Sequence, residues 1–310
     1  MNLQHLKYMV EVEKVGSITK AASNLFMGQP NLSKAIKEVE NEVGIRIFNR
    51  SAKGVFPTEK GAEFLEYAHA ILIQLDKIQE LYKPDADNCI NFSISVPRAS
   101  YITYSFAGFV KKLDSTKHMS INFKETNSVE AVENVATGVH NMAIIRYESA
   151  YEEYFLSLIA EKNLKYDPVL EFNYRLLVSA DNPLAEYDDV PLSALSDLTE
   201  IIHGDLTVPY LSAAYTKKND VSESRRRIYV YERGSQFDLL RNVNSTYMWV
   251  SPMPKETLEA GRLVQKICSG NQKKYTDILV YPASYTFSDT DEDFLKELYS
   301  VRDQILNTGL

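Results

Sequence analysis

The chain has 310 residues, 45% hydrophobic and 25% charged, with a net charge of −8. That length predicts two or three domains, and the composition is that of an ordinary globular protein. No run approaches about eighteen apolar residues, the N-terminus carries charges and no small-residue cleavage site, and the only cysteines, Cys89 and Cys268, lie far apart; a membrane span, a secretory signal, a disulfide framework and a cysteine metal site are therefore not expected, and a cytoplasmic location is.

Residues 2–15 predict a helix with Leu3, Leu6 and Val10 on one face, Met9 beside them and Gly16 at its end. Ser17 can cap a second, short helix whose Ile18, Ala21, Ala22 and Leu25 recur at helical period. After a break at Met27-Gly28, a third helix starts near Gln29-Pro30, where a proline in the first turn loses no hydrogen bond. Its stripe is Leu32, Ile36, Val39 and Val43, with Gly44 as C-cap. Phe48-Asn49-Arg50 and Val55-Phe56-Pro57 flank a turn at Ser51 to Gly54 and predict a small hairpin, or wing. This is the plan of a winged helix-turn-helix, whose second helix lies in the major groove of DNA.

On that plan Gln29, Pro30, Asn31, Ser33 and Lys34 face base edges, and Lys37, Arg50 and Lys53 hold phosphates; Ser17, at the start of the motif, is counted with the DNA-facing set. The charge distribution agrees, mildly. Residues 1–60 carry nine Lys/Arg against six Asp/Glu, a net of +3, so the remaining 250 residues hold −11.

Thr58 caps a long helix over 59–83, stopped by Pro84. Phe64, Ala68, Ile71, Leu75, Ile78 and Tyr82 follow the alternating 4,3 spacing of a coiled-coil seam. About 25 residues of helix span about 37 Å, longer than a domain of some sixty residues can cover, so residues 59–83 are expected to pair two copies of the chain. Residues 84–89, polar and turn-forming, are the expected hinge between the winged helix-turn-helix of 1–58 with its linker helix and a domain over 90–310.

From Ile90 the pattern changes to strands alternating with helices. Strands are expected at 92–96, 121–123 and 142–145, with helices at 101–113 and 129–137 between them, a βαβαβ unit on a parallel sheet. A second set has strands at 174–178, 200–203, 228–231 and 247–250, with helices near 192–198, 235–243 and 252–260. A strand at 277–281 and a helix at 291–306 are expected to return to the first lobe, giving a two-lobed α/β domain with lobe I at about 90–161 plus 268–303 and lobe II at about 162–267. Open sheets of this kind bind ligands at the C-terminal ends of their strands. That rule selects Ala99, Ser100 and Tyr101 after the first strand, Asn127 and Ser128 after the second, Arg146, and His203 with Gly204 in the second lobe. Each also has a plain structural role open to it, as helix cap, strand end or surface charge. Arg225-Arg226-Arg227 is expected to be a solvated loop, and Asp289, Asp291 and Asp293 a charged helix start.

The order Ser17, Ala21-Ala22, Leu25, Gln29-Pro30, Leu32-Ser33, Ile36, Glu40, Gly44, Ile47-Phe48, Arg50, Thr58 and Gly61 closely resembles the N-terminal domain of LysR-type transcriptional regulators, departing at Met27-Gly28. Residues 90–303 are more loosely similar to the effector domain of that family, itself built like periplasmic binding proteins; Asn182-Pro183-Leu184-Ala185 and Met248 to Pro252 carry the match. The resemblance implies a sequence-specific DNA-binding regulator controlled by a small, anionic effector between the lobes. It implies dimers through the linker helix, with a homotetramer as the expected assembly, and RNA polymerase as a further partner. The family also includes oxidant sensors that use a cysteine pair, but neither Cys89 nor Cys268 has a nearby basic cluster in sequence to favour a thiolate. No phosphate loop, dinucleotide fingerprint, zinc-protease or nucleophile-elbow motif is present, so no enzyme, metal or cofactor is expected. A solute-binding protein and an enzyme with its site between the lobes are the rival readings.

Overall fold

The computed structural model describes residues 1–51, 54–81, 89–204 and 226–307, without the side chains of 77, 80 and 81. Lys53, Tyr82, Pro84 to Asn88 of the expected hinge, and Arg225 lie outside the described residues. The chain forms two compact units, one of Met1–Asn88 with Thr137–Val139 and one of Cys89–Ala136 with His140–Leu310.

The first unit contains α1 (Leu3–Val15), α2 (Ile18–Asn24), α3 (Gln29–Val43), a hairpin of β1 (Phe48–Ser51) and β2 (Gly54–Pro57), and α4 (Glu59–Leu81). Each helix begins where the capping chemistry predicts. The Ser17 side chain accepts the Lys20 N–H, Pro30 sits in the first turn of α3, and Gly44 takes the left-handed conformation at φ 72°. Thr58 accepts the Gly61 N–H at 2.9 Å and donates to the Arg46 carbonyl. The core is Met9, Val12, Ile18, Ala21, Leu32, Ile36 and Val39, closed by Ile47, Phe48 and Leu65. The buried face of α1 is Leu6, Met9 and Val12; Leu3, the first residue of the helix, is exposed, and Val10 is half-buried.

Two contacts fix the wing. One carboxylate oxygen of Glu40 on α3 accepts the backbone N–H groups of Ile47 and Phe48, at 2.8 and 3.1 Å. At the start of α4, Gly61 passes so close to Ile47 that a Cβ there would stand 2.0 Å from its carbonyl oxygen.

In the second unit, strands β3 (Cys89–Val96), β4 (His118–Glu125), β5 (Met142–Glu148), β6 (Leu164–Asn173) and β12 (Lys274–Pro282) make one sheet, in the order β4-β3-β5-β12-β6. Its helices are α5 (Ser100–Lys112), α6 (Ser128–Ala136), α7 (Glu152–Glu161) and α10 (Asp289–Asn307). Alternation along β5 fills both faces: Met142 and Ile144 pack with α5 and α10, while Ala143, Ile145 and Tyr147 pack with α6 and α7. The second sheet, β11-β7-β10-β8-β9, comprises β7 (Arg175–Ser179), β8 (Thr199–His203), β9 (Arg226–Val230), β10 (Thr246–Val250) and β11 (Leu263–Lys266), with α8 (Arg233–Asn242) and α9 (Lys255–Gly261).

The fold class is the expected one, with three corrections. The first sheet is parallel only across β4-β3-β5; β12 enters antiparallel to β5 and β6, because it returns from the second sheet without a crossover helix. The second lobe does not begin at 162, since β6 belongs to the first sheet. Finally, Arg226 and Arg227 are not in a loop but on β9. Among the described residues no helix is long and apolar enough to cross a membrane.

Replacing Gly61 by Ala should lower the unfolding free energy of the first unit by about 1–3 kcal/mol, the usual cost of forcing extra atoms into a packed site. A urea titration of the full chain followed by circular dichroism checks this, with an unchanged midpoint counting against the close approach.

Candidate DNA interface and ligand cleft

The surface of α3 divides as the sequence pattern predicts. Leu32, Ala35, Ile36 and Val39 turn inward, while Gln29, Pro30, Asn31, Lys34 and Lys37 are exposed and Ser33 is half-buried. Phe26, fully exposed at φ 53°, turns the chain between α2 and α3, so the break falls one residue before Met27-Gly28. Arg50 on β1 donates to the Ser33 hydroxyl at 3.3 Å, joining the wing to the exposed face of α3. Lys34 keeps only a loose ion pair with Glu38, at 3.8 Å, and stays available. The arrangement offers amide, hydroxyl and cationic groups over the first two turns of one helix. Ser17 spends its oxygen on the cap of α2, and Lys53 is outside the described residues.

On α4 the expected seam is only partly free. Ala68 is buried, whereas Ile71 and Ile78 are 43% and 54% exposed, with Leu75 between them half-buried. The exposed part of the row thus starts at Ile71.

The second unit holds a cleft of about 470 Å³ bordered by both of its sheets. Of the residues selected from sequence, Ser100, Asn127, Ser128, Arg146 and His203 line it. Three do not. Ala99 and Tyr101, at the N-cap and in the first turn of α5, are buried in the core, and Gly204 is held against Tyr231 beside β9.

The site residues that do line the cleft are heavily engaged. Asn127 accepts the Glu130 N–H at 2.9 Å and so caps α6. Ser128 donates to the Arg146 carbonyl at 2.6 Å and accepts the Arg146 N–H at 3.1 Å, tying α6 to β5. Arg146 makes a bidentate pair with Asp277 of β12, at 2.8 and 2.7 Å, and Asp277 is wholly buried. Tyr101 donates to the same carboxylate at 2.6 Å. Burial works against the Arg146 charge, but Asp277 more than offsets it and holds the pKa above the ordinary guanidinium value. The Arg146 guanidinium also lies 4.8 Å from the Phe172 ring centre.

Sequence reasoning missed the residues that join the two sheets across the cleft. Arg233, the first residue of α8, pairs with Glu125 at the end of β4 and donates to Thr103 and, at 2.8 Å, to the Ser100 hydroxyl. Arg98 donates to the Tyr231 carbonyl at 3.2 Å. The other cations on the walls also have partners, Arg227 with Glu200 at 3.4 Å and Lys273 with Glu148 at 3.3 Å. Between them lie the rings of Tyr151, Tyr174, Tyr229 and Trp249 and the buried amide of Gln236. Burial, with Glu152 nearby, pushes the Tyr147 phenol up to about 12, so it remains a neutral donor at physiological pH.

Residues 3–62 match the family described as bacterial regulatory helix-turn-helix protein, lysR family. The regulator BenM of Acinetobacter baylyi is 39% identical over 83 residues, which are 27% of this chain and 27% of that protein. CysB of Burkholderia cenocepacia is 28% identical over 210 residues, 66% of this chain and 64% of CysB. The chain thus spans about a quarter of BenM and under two thirds of CysB in these matches. Among solved structures, full-length CbnR complexed with its target DNA superposes with a TM-score of 0.63 at 15% identity, over 97% of this chain and 100% of that one. A full-length OxyR variant from Pseudomonas aeruginosa gives 0.55 at 17% identity, over 97% and 94%. The fold is therefore that of a winged helix-turn-helix followed by a two-lobed α/β domain. Residues 3–62 thus carry a helix-turn-helix of the lysR type, and BenM and CysB, the relatives named above, are described as HTH-type transcriptional regulators.

Asp277→Asn should cost about 3–5 kcal/mol, because it leaves the Arg146 charge buried without its partner, whereas replacing both residues by Leu and Met should cost much less. Thermal unfolding of the two variants side by side measures the difference; equal losses would contradict it.

Proposed function

We propose that the protein is a sequence-specific DNA-binding regulator of transcription, reading double-stranded DNA with α3 and controlled by a small molecule in the interlobe cleft. The observation that carries the first part is the exposed run Gln29, Pro30, Asn31 and Lys34 at the N-terminal end of α3, inside the segment that matches the lysR family. A helix entering the major groove by its N-terminus presents these residues to base edges, glutamine and asparagine being suited to adenine and lysine to guanine. Lys37, Arg50 and Lys53 then hold phosphates. The crystallised complex of CbnR with its target DNA supports this reading.

In this proposal α4 pairs two chains through Ile71, Leu75 and Ile78, and pairs of such dimers form the tetramer. Two half-sites would lie about one helical turn, or a multiple of it, apart. Domain limits follow the expected order, 1–58 for the DNA reader, 59–83 for the linker helix, 84–89 for the hinge and 90–310 for the effector domain. The cytoplasm is the compartment and RNA polymerase the further partner.

The cleft supports the second part by its size and its aromatic walls, both ordinary for a small-molecule site. An anionic effector finds no unclaimed cation there among the described residues. It enters by competing with a resident carboxylate, most directly with Glu125 for Arg233, the contact that joins the two sheets. Binding of that kind favours one lobe arrangement over another, which is the requirement for control by a ligand.

Gln29→Ala should weaken binding to the chain's own upstream DNA by about 1–3 kcal/mol, with little change on unrelated DNA. Arg50→Ala should weaken both and lower the slope of log K against log salt by about 0.9. Fluorescence anisotropy at several salt concentrations reads both effects, and identical behaviour of the two variants would remove the division into base and phosphate contacts. Changing Ile71 and Ile78 together to Glu should reduce the mass seen by light scattering; an unaltered mass would exclude pairing through α4.

A further inference from the structure

A second cavity, of about 460 Å³, lies at the two connections between the sheets of the C-terminal unit. Asn173 to Arg175 links β6 to β7, and Ile267 to Gln272 lies between β11 and β12; both segments border it. Leu170, Phe172, Pro252 and Ile305 give it apolar walls, and Asn173, Asn271 and Gln272 also line it.

Its cation distinguishes this cavity from the main cleft. Arg175 lines it half-buried, with its Nε shut off from water and without a hydrogen-bond acceptor. Among the described residues no carboxylate lies within ion-pair distance of it. Glu171, on the cavity lining, is engaged by Lys274 at 3.0 Å and largely exposed. Lining cations of the main cleft, by contrast, have partners in Asp277, Glu125, Glu200 and Glu148. Shutting an arginine Nε off from water without an acceptor is costly, and the fork of N–H groups to which it belongs binds a carboxylate in two parallel hydrogen bonds. Burial also weakens the protonated form of Arg175, a penalty that a bound anion relieves.

We propose that this cavity is a second ligand site, separate from the interlobe cleft, for a small organic carboxylate. The carboxylate sits on Arg175 and an apolar body lies against Leu170, Phe172 and Ile305. The volume falls in the range of small-molecule pockets. A neutral molecule of the same shape leaves the guanidinium uncompensated and is rejected. This inference stands apart from the proposed control through the cleft and survives the failure of that reading.

The test uses the full chain and two probes, phenylacetate and its neutral isostere phenylacetamide, titrated by calorimetry. Phenylacetate should bind at least tenfold more tightly than the amide. Arg175→Gln should weaken phenylacetate at least tenfold, and Tyr229→Ala, on the main cleft, should leave it within twofold. No binding of phenylacetate, equal binding of the two probes, or loss on Tyr229→Ala but not on Arg175→Gln would each overturn the proposal. Arg175→Met supplies a control that needs no ligand. Removal of an unpartnered charge should leave the thermal midpoint unchanged or raise it, whereas a fall of several degrees would assign Arg175 to holding the fold and overturn the ligand site.

Discussion

The buried pair of Arg146 and Asp277 is the contact on which the C-terminal unit depends. Asp277 stands on β12, the strand that returns from the second sheet, and faces Arg146 directly in the antiparallel register with β5. On the other side of β12 the register with β6 shifts between Asp277 and Ile278. A slip of one residue along β12 would send Asp277 to the opposite face and leave two charges buried alone. Tyr101 on α5 supplies a further donor to the same carboxylate, so helix, strand and returning strand meet at one point. That lock has a consequence for ligands: Arg146, an apparent carboxylate binder from its place at a strand end, is already occupied.

The parts of the fold legible in the sequence are those set by neighbours within a few residues. Ser17, Gly44 and Thr58 mark helix ends because capping is local chemistry, and Phe92 to Val96 alternates because a sheet has two faces. Strand β6 escaped notice for equally local reasons. It is an edge strand with Lys165, Asp167, Pro168 and Glu171 interrupting its apolar residues, a composition natural for an edge and misleading as a pattern. The site was legible as a place and not as a set of contacts. Strand ends pointed to Ser100, Asn127, Ser128, Arg146 and His203, which line the cleft, but the same rule swept in Ala99 and Tyr101, whose side chains turn to the core. Arg233 and Glu125 are 108 residues apart, and no periodicity relates them.

In the N-terminal unit the constraint is rigidity more than charge. A net of +3 over sixty residues makes a weak electrostatic footprint. Specific reading then requires that the few polar groups be held in place. Glu40 does this from within α3 by accepting two backbone N–H groups of the incoming strand, and Gly61 does it by letting α4 lie against the same turn. The reading face and the wing therefore move as one body, and the two-fold pairing proposed for α4 multiplies a modest contact by doubling it.

The two cavities of the C-terminal unit embody opposite solutions to burying an arginine. In the cleft each wall cation meets a carboxylate or carbonyl of the protein, so an incoming anion gains only the difference between itself and the group it displaces. Selectivity there has to come from shape and from the aromatic walls. At Arg175 no carboxylate among the described residues has to be displaced, and in the proposed site charge alone would discriminate between ligands of one shape. If both proposed sites are used, the chain distinguishes two chemically different ligands, one at the contact that joins its sheets across the cleft and one at the connections between them.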